Sequence, residues 1–103
     1  MTKNPTDIRV LMAAKMFNIH PRDLIGHYRY GFLMLPRFAL TKALRMRGIS
    51  TPRIGKIVNR DHTTVLYQLK QIEYYLERHP AYKRKVEELY MEFAKLMTAE
   101  DYK

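Results

Sequence analysis

Apolar residues recur three or four positions apart along most of the chain, which is the spacing of the buried side of an α-helix. The first such stretch predicts a helix that is capped by Thr6 and runs to about Phe17. No segment alternates apolar and polar residues between turn signals, as a half-buried strand does. The pattern therefore predicts an all-α fold of about five or six helices in one domain, residues 1–103.

Prolines and glycines divide the rest of the chain into further helices. The segment 27–35 contains Gly31 and a mixture of aromatic and basic side chains, so we interpret it as a loop. Gly48 is the expected stop of the helix that precedes it. The further predicted helices run from Pro21 to about Gly26, from Pro36 to Arg47, from Pro52 to about Val58, from the cap Asp61 to about Arg78, and from Pro80 to about Met97.

Two of these helices are separated by only a tight turn, Asn59–Arg60. Thr51 is the expected cap of the shorter one, and Asp61 suits the start of the longer one because its carboxylate can accept a backbone N–H. A short helix, a turn and a capped second helix are the layout of a helix-turn-helix. In that unit the start of the second helix enters the major groove of DNA.

The charge of the chain supports this interpretation. Its 103 residues include 19 Lys+Arg and 10 Asp+Glu, which gives a formal net charge of +9. Between residues 24 and 72 there are nine basic residues and one acidic residue, Asp61. Such an excess attracts a polyanion. We favour nucleic acid over a membrane surface, because the basic residues are spread over several short elements instead of lying on one amphipathic helix. The lack of cysteine, signal-peptide core and apolar span predicts a cytoplasmic protein.

The residues at the start of the second helix carry groups that suit DNA. Arg60 is a cation at the helix entrance, and His62 can donate or accept a hydrogen bond. Thr63 and Thr64 offer methyl and hydroxyl groups to a thymine methyl or a phosphate. Asp61 can cap the helix, accept from a cytosine amine, or hold Arg60 in place.

Ile54-Gly55 followed by Arg60-Asp61-His62-Thr63-Thr64-Val65-Leu66 resembles the signature of the C-terminal DNA-binding domain of DnaA, the bacterial replication initiator. Ala14 to Ile25 is similar to the family's first helix and short turn, and Pro36-Arg37 is similar to its Pro-Arg helix start. The resemblance covers about residues 8–97. It implies a helix-turn-helix fold of the Trp-repressor-like kind and double-stranded DNA as the ligand.

The resemblance also implies roles for individual residues. Arg29 falls where the family inserts a loop arginine into the minor groove, whose negative potential is greatest where A·T pairs narrow it. The family's base-reading positions correspond here to Arg37, Asp61, His62 and Thr63. Its positions that contact phosphates or hold the duplex edge correspond to Arg45, Ser50, Thr51, Pro52 and Thr64.

Three differences from the family pattern predict an altered site preference. Phe38 replaces the glutamine that follows the Pro-Arg pair, which removes a reader of adenine. The loop around Arg29 is rich in tyrosine and leucine instead of basic residues. The turn before Arg60 has Asn59 where glycines are usual. We therefore expect binding at sites that resemble the DnaA box, with a base-pair preference that differs from the family's.

These features favour a regulatory protein that has no ATP-binding motor. The segment most like a phosphate loop, residues 50–57, lacks the first glycine and the final Ser/Thr, and Pro52 removes an amide. We expect a stand-alone regulator of replication initiation or transcription, without a cofactor. A module that binds DnaA or another replication protein is the alternative.

Enzymatic and metal-binding functions find little support in the sequence. A nuclease needs clustered carboxylates for magnesium, and Asp61 is alone in the basic segment. The four histidines are scattered without zinc-ligand spacing. Apolar residues at the end of the last helix, Phe93 to Met97, fit either a dimer contact or packing on the core, so the oligomeric state stays open.

Overall fold

The computed structural model describes residues 7–97, and in this range it contains six α-helices, two single 3-10 turns and no strand. This confirms the predicted all-α class and the number of helices. The helices are α1 (Ile8–Met16), α2 (Pro21–Ile25), α3 (Met34–Met46), α4 (Thr51–Val58), α5 (His62–Arg78) and α6 (Pro80–Phe93), and the 3-10 turns are Gly31–Leu33 and Ala94–Leu96.

Helix α3 begins earlier than its proline indicates. The expected loop 27–35 contains the 3-10 turn Gly31–Leu33, which leads directly into α3 at Met34. Pro36 is therefore the third residue of the helix, where the missing amide has no intrahelical partner in any case. At the other end Gly48 has a φ of 87° and its N–H donates to the carbonyl of Arg45 at 2.9 Å, as expected of a helix stop.

Two helix starts differ from the expected caps. Thr6 lies outside the described residues, and Asp7 caps α1 by accepting the N–H of Arg9 at 2.9 Å. Ser50 caps α4, since its extended backbone and its Oγ, 3.4 Å from the N–H of Arg53, precede the first helical turn. Thr51 is the first helical residue, so its hydroxyl is available for another contact.

Helix α3 is the centre of the molecule and contacts each of the other five α-helices. Ala39 and Ala43 are fully buried along it. A buried hydrogen bond of 2.6 Å from the Thr41 hydroxyl to Oε1 of Gln68 joins α3 to α5. Gln68 is buried on α5 between the apolar residues Val65 and Ile72, and its burial is tolerated because this polar partner faces it.

The expected apolar stripe of α6 is buried inside the chain. Tyr82, Val86, Leu89 and Phe93 belong to the core, and the Tyr82 hydroxyl donates to the carbonyl of Leu35 at 2.6 Å. Burial raises the pKa of that hydroxyl. None of the helices in residues 7–97 is long and apolar enough to cross a membrane.

The turn between α4 and α5 depends on a close approach at Gly55. Asn59 adopts the left-handed conformation with a φ of 60°, and the N–H of Arg60 donates to the carbonyl of Gly55 at 2.9 Å. A Cβ on residue 55 would lie 2.6 Å from the carbonyl oxygen of Arg60, which is well inside van der Waals contact. Only glycine fits at this point without moving the backbone of the turn.

We predict that Gly55→Ala destabilises the protein by about 1–3 kcal/mol, the usual cost of a steric conflict in a packed site. The sign of this change in the free energy of unfolding identifies a steric conflict, because Gly→Ala inside an unobstructed helix stabilises the protein by about 1 kcal/mol. Urea denaturation measures the free energy of unfolding. Gly31→Ala is the control, since a Cβ at that position has no neighbour within 4 Å. A Gly55→Ala protein as stable as its parent would contradict the close approach.

Candidate nucleic-acid interface

The turn between α4 and α5 is fastened to the carboxyl end of α2. The Arg60 guanidinium donates to the carbonyls of Ile25, at 3.1 Å, and Gly26. The Asn59 side-chain amide donates to the same Ile25 carbonyl at 3.1 Å. The last carbonyls of a helix have no partner within it, and they carry its partial negative charge. The two side chains satisfy these carbonyls and fix the turn against α2.

Arg37 reaches the same end of α2 from α3 and shares the Gly26 carbonyl with Arg60. Its Nε donates to the carbonyl of Leu24 at 3.0 Å, and its Nη2 donates to those of Asp23 at 2.7 Å and Gly26 at 3.1 Å. Burial and the neighbouring charge of Arg60 lower the pKa of Arg37 to about 10, although Asp23 acts in the opposite direction. The Arg37 guanidinium therefore stays positive at neutral pH. Burial also lowers the pKa of Arg60.

An open groove of about 840 Å³, here called the basic groove, lies between the loop after α2 and the first turns of α4 and α5. Its walls are formed by His27, Tyr28, Arg29, Arg37, Pro52, Gly55, Lys56, Asn59, Arg60, Asp61 and Thr64. Four of these side chains are cations and one is a carboxylate, so the groove has the charge that a phosphate backbone requires.

The first turn of α5 forms one edge of the basic groove. Asp61 caps it by accepting the N–H of Thr64 at 2.7 Å, and this bond lowers the pKa of the exposed carboxyl. The stabilisation by this cap is present above the ordinary pKa of aspartate and is lost as the pH falls through the lowered value. His62 and Thr63 follow on the helix, and both side chains are exposed.

A side-chain hydrogen bond joins the first turns of α4 and α5. Thr51 Oγ1 and His62 Nε2 are 2.7 Å apart. Since Thr51 does not cap α4, its hydroxyl is available to orient the imidazole ring. This contact gives an orientation to the ring that sequence reasoning assigns to base reading.

The structure brings some of the predicted site residues together and leaves others apart. The members that line the basic groove are Arg29, Arg37, Pro52, Arg60, Asp61 and Thr64. Thr51, His62 and Thr63 lie at the starts of α4 and α5 beside it, and Ser50 caps α4. Arg45 does not line the groove, and its Nη1 donates to the carbonyl of Ile49 at 3.2 Å.

Two of the predicted DNA contacts already have partners within the chain. The guanidinium groups of Arg37 and Arg60 are bonded to the end of α2, so a bidentate contact from the same nitrogens to a guanine needs these bonds to break. Their contact with DNA stays a prediction. In this structure they position the groove and contribute its charge.

Sequence reasoning missed part of the groove wall. Lys56 is exposed on α4 beside Pro52, on the opposite side from the buried Ile54 and Ile57. The helical spacing of residues 52 and 56 contained this signal. His27 lines the groove because the end of α2 folds back on the turn, and no local pattern indicates that.

Comparisons with known proteins agree on one family. The family model for the bacterial dnaA protein helix-turn-helix matches residues 10–72. The chromosomal replication initiator protein DnaA of Enterococcus faecalis is 32% identical over 78 residues, and that of Oenococcus oeni is 35% identical over 75. These matches cover 74% and 71% of this chain. DnaA of Buchnera aphidicola is 36% identical over 84 residues, or 80% of the chain. The matches span 17% or 18% of each DnaA protein.

We predict that Arg60→Met lowers the free energy of unfolding by about 1–3 kcal/mol, because the carbonyls of Ile25 and Gly26 each lose one of their two side-chain donors. Amide hydrogen exchange should rise in α2 and in the turn after α4. Arg84→Met is the matched control, since Arg84 is exposed on α6. Equal stability of the two variants would show that the guanidinium bonds do not hold the turn.

Proposed function

The chain belongs to the bacterial DnaA helix-turn-helix family, and from this premise we propose that it binds double-stranded DNA at sites resembling the DnaA box. One observation carries the proposal. The basic groove has four cationic side chains in its wall, and it adjoins the exposed first turn of α5. This is the combination of phosphate grip and base-facing helix end that a helix-turn-helix uses.

In the proposed complex the start of α5 enters the major groove. His62 and Thr63 meet the base edges, and the bond from Thr51 keeps the imidazole in place. Lys56 and Thr64 contact phosphates, because both line the basic groove. Asp61 stays ionised as the helix cap, and its carboxylate can accept from a cytosine amine.

Arg29 is the proposed minor-groove contact. It is exposed in the extended loop after α2, and it lines the basic groove. An arginine on such a loop gains most where A·T pairs narrow the minor groove. Base recognition by α5 and insertion of Arg29 would then use adjacent grooves on one face of the duplex, because both elements border the basic groove.

The biological role in this proposal is regulatory. A domain of this kind acts by occupying DnaA-box-like sites, or by helping DnaA load, and so modulates replication initiation or nearby transcription. Binding to DnaA itself is the alternative. It would use a surface away from the basic groove and would not depend on salt in the same way.

The proposal is tested by selecting binding sites from random duplex pools and comparing them with a DnaA box. For the selected duplex, log K should fall with log salt at a slope of about −0.9 for each phosphate contact. A response that is flat in salt, with no enriched sequence, would reject DNA binding. If such a protein still bound DnaA, the alternative would gain support.

His62→Ala and Thr63→Ala should each reduce discrimination at one or two base pairs by about 1–3 kcal/mol, because they remove contacts to base edges. Lys56→Ala should weaken all duplexes alike and reduce the salt slope by about 1. Competition binding with single-base-pair variants of the selected site separates the two effects. Uniform weakening by His62→Ala and Thr63→Ala would contradict their role in reading bases.

Arg29→Ala should weaken binding most on duplexes with A·T-rich flanks, because the variant lacks the side chain that would contact the narrow minor groove. Fluorescence anisotropy with A·T-rich and G·C-rich flanks measures the difference. Arg84→Ala removes the same charge from the exposed surface of α6 and is the control. Unchanged affinity of Arg29→Ala for every duplex would reject the minor-groove contact.

A further inference from the structure

Three exposed aromatic rings form a continuous stack in the segment after α2. The rings of Tyr28 and Tyr30 have centroids 5.9 Å apart and an interplanar angle of 23°. Those of Tyr30 and Phe32 are 5.6 Å apart at 14°. These three residues, here called the aromatic ladder, are 57%, 59% and 64% exposed. They stack on one another at the surface of the molecule and are not among its buried core residues.

The ladder connects two open features of the surface. Tyr28 lines the basic groove together with Arg29. Phe32 lines a second groove of about 330 Å³, whose wall also contains Pro36 and Lys85. The ladder therefore leads away from the proposed duplex site along a path with a cation near each end.

We propose that the aromatic ladder stacks on unpaired nucleobases of a strand that leaves the duplex bound in the basic groove. The proposal rests on the proposed function and makes the protein a binder of junctions between duplex and single strand. Every base has a π-face, so aromatic side chains bind single strands with little sequence preference. The bases of an intact duplex are already stacked on one another, which leaves the ladder without a partner there.

The geometry defines where a base can bind. Tyr30 has a ring on each side and Tyr28 lines the groove proposed for the duplex, so the end face of the stack on Phe32 is the one that an unpaired base can cover. Arg29 and Lys85 provide the charge that the accompanying phosphates need. No acidic residue lines the second groove, whereas a groove for a basic or mixed protein segment would offer one.

The ladder is arranged before a base arrives, because its three rings already stack on one another. An exposed, preorganised stack loses little conformational entropy when a base adds to it.

The test compares three DNA probes by competition anisotropy. One is a blunt duplex with a DnaA box, one carries a tail of about six thymidines, and one carries the same tail without bases. We expect the thymidine tail to raise affinity at least about fivefold, since one stacked base is worth that much. The abasic tail should give none of this gain. Phe32→Leu should remove the gain and leave the affinity for the blunt duplex unchanged.

Tyr74→Leu is the control variant, because Tyr74 is also exposed, at 54%, but lies on α5 outside the ladder. It should keep the gain. Equal binding of blunt and tailed duplexes would overturn the ladder proposal and leave duplex binding intact. A gain that survives the abasic tail would also overturn it, because phosphates alone would then explain the gain. A gain that survives Phe32→Leu would overturn it too, because the base would not be stacking on the end of the ladder. Failure of all three probes would reject the proposed function itself.

A protein partner gives a different result. If Phe32→Leu abolished self-association in sedimentation equilibrium without altering any DNA affinity, the ladder would be a contact between two copies of the chain. That outcome would overturn its role in base stacking.

Discussion

The arrangement of the site depends on the hydrogen bonds between two guanidinium groups and the last carbonyls of α2. Arg60 comes from the turn between α4 and α5, and Arg37 comes from α3. Their bonds meet at one helix end, so three parts of the chain that are distant in sequence are fixed relative to one another. The loop that carries Arg29 starts at this same point, and the basic groove is the space between that loop and the turn.

The same bonds explain why the groove is strongly positive. Placing two arginines side by side is unfavourable, and burial makes each charge more costly, as the lowered pKa values of both groups show. The carbonyl dipoles of α2 offset that cost. A surface that holds cations against mutual repulsion is suited to a polyanion, which would relieve the repulsion on binding. The two arginines at the end of α2 therefore hold the turn in place and also give the groove a charge that attracts a polyanion.

Much of the fold could be predicted, because helix periods and breakers are local signals. The α4–α5 pair and the Asp61 cap were confirmed, while other boundaries shifted. The cap of α4 was wrong by one residue, since Ser50 and Thr51 have similar chemistry and only the backbone path decides between them. The start of α3 was wrong by two residues, because Pro36 is tolerated anywhere in the first turn.

The parts of the site that sequence could not predict are tertiary. The family resemblance assigned Arg37 to DNA, and the position at the helix entrance assigned Arg60, but their bonds to α2 depend on how the helices pack. The bond between Thr51 and His62 emerges only when the two helices are set at their observed angle. The helix-turn-helix motif located the interface, and the packing defined which side chains are available on it.

The most direct test of the account is to follow backbone amide resonances while a duplex with a DnaA box is added. The account predicts the largest shifts in residues 27–29, 51–56 and 61–64, with small changes on the exposed side of α6. Shifts concentrated on α6, or none at the start of α5, would contradict it.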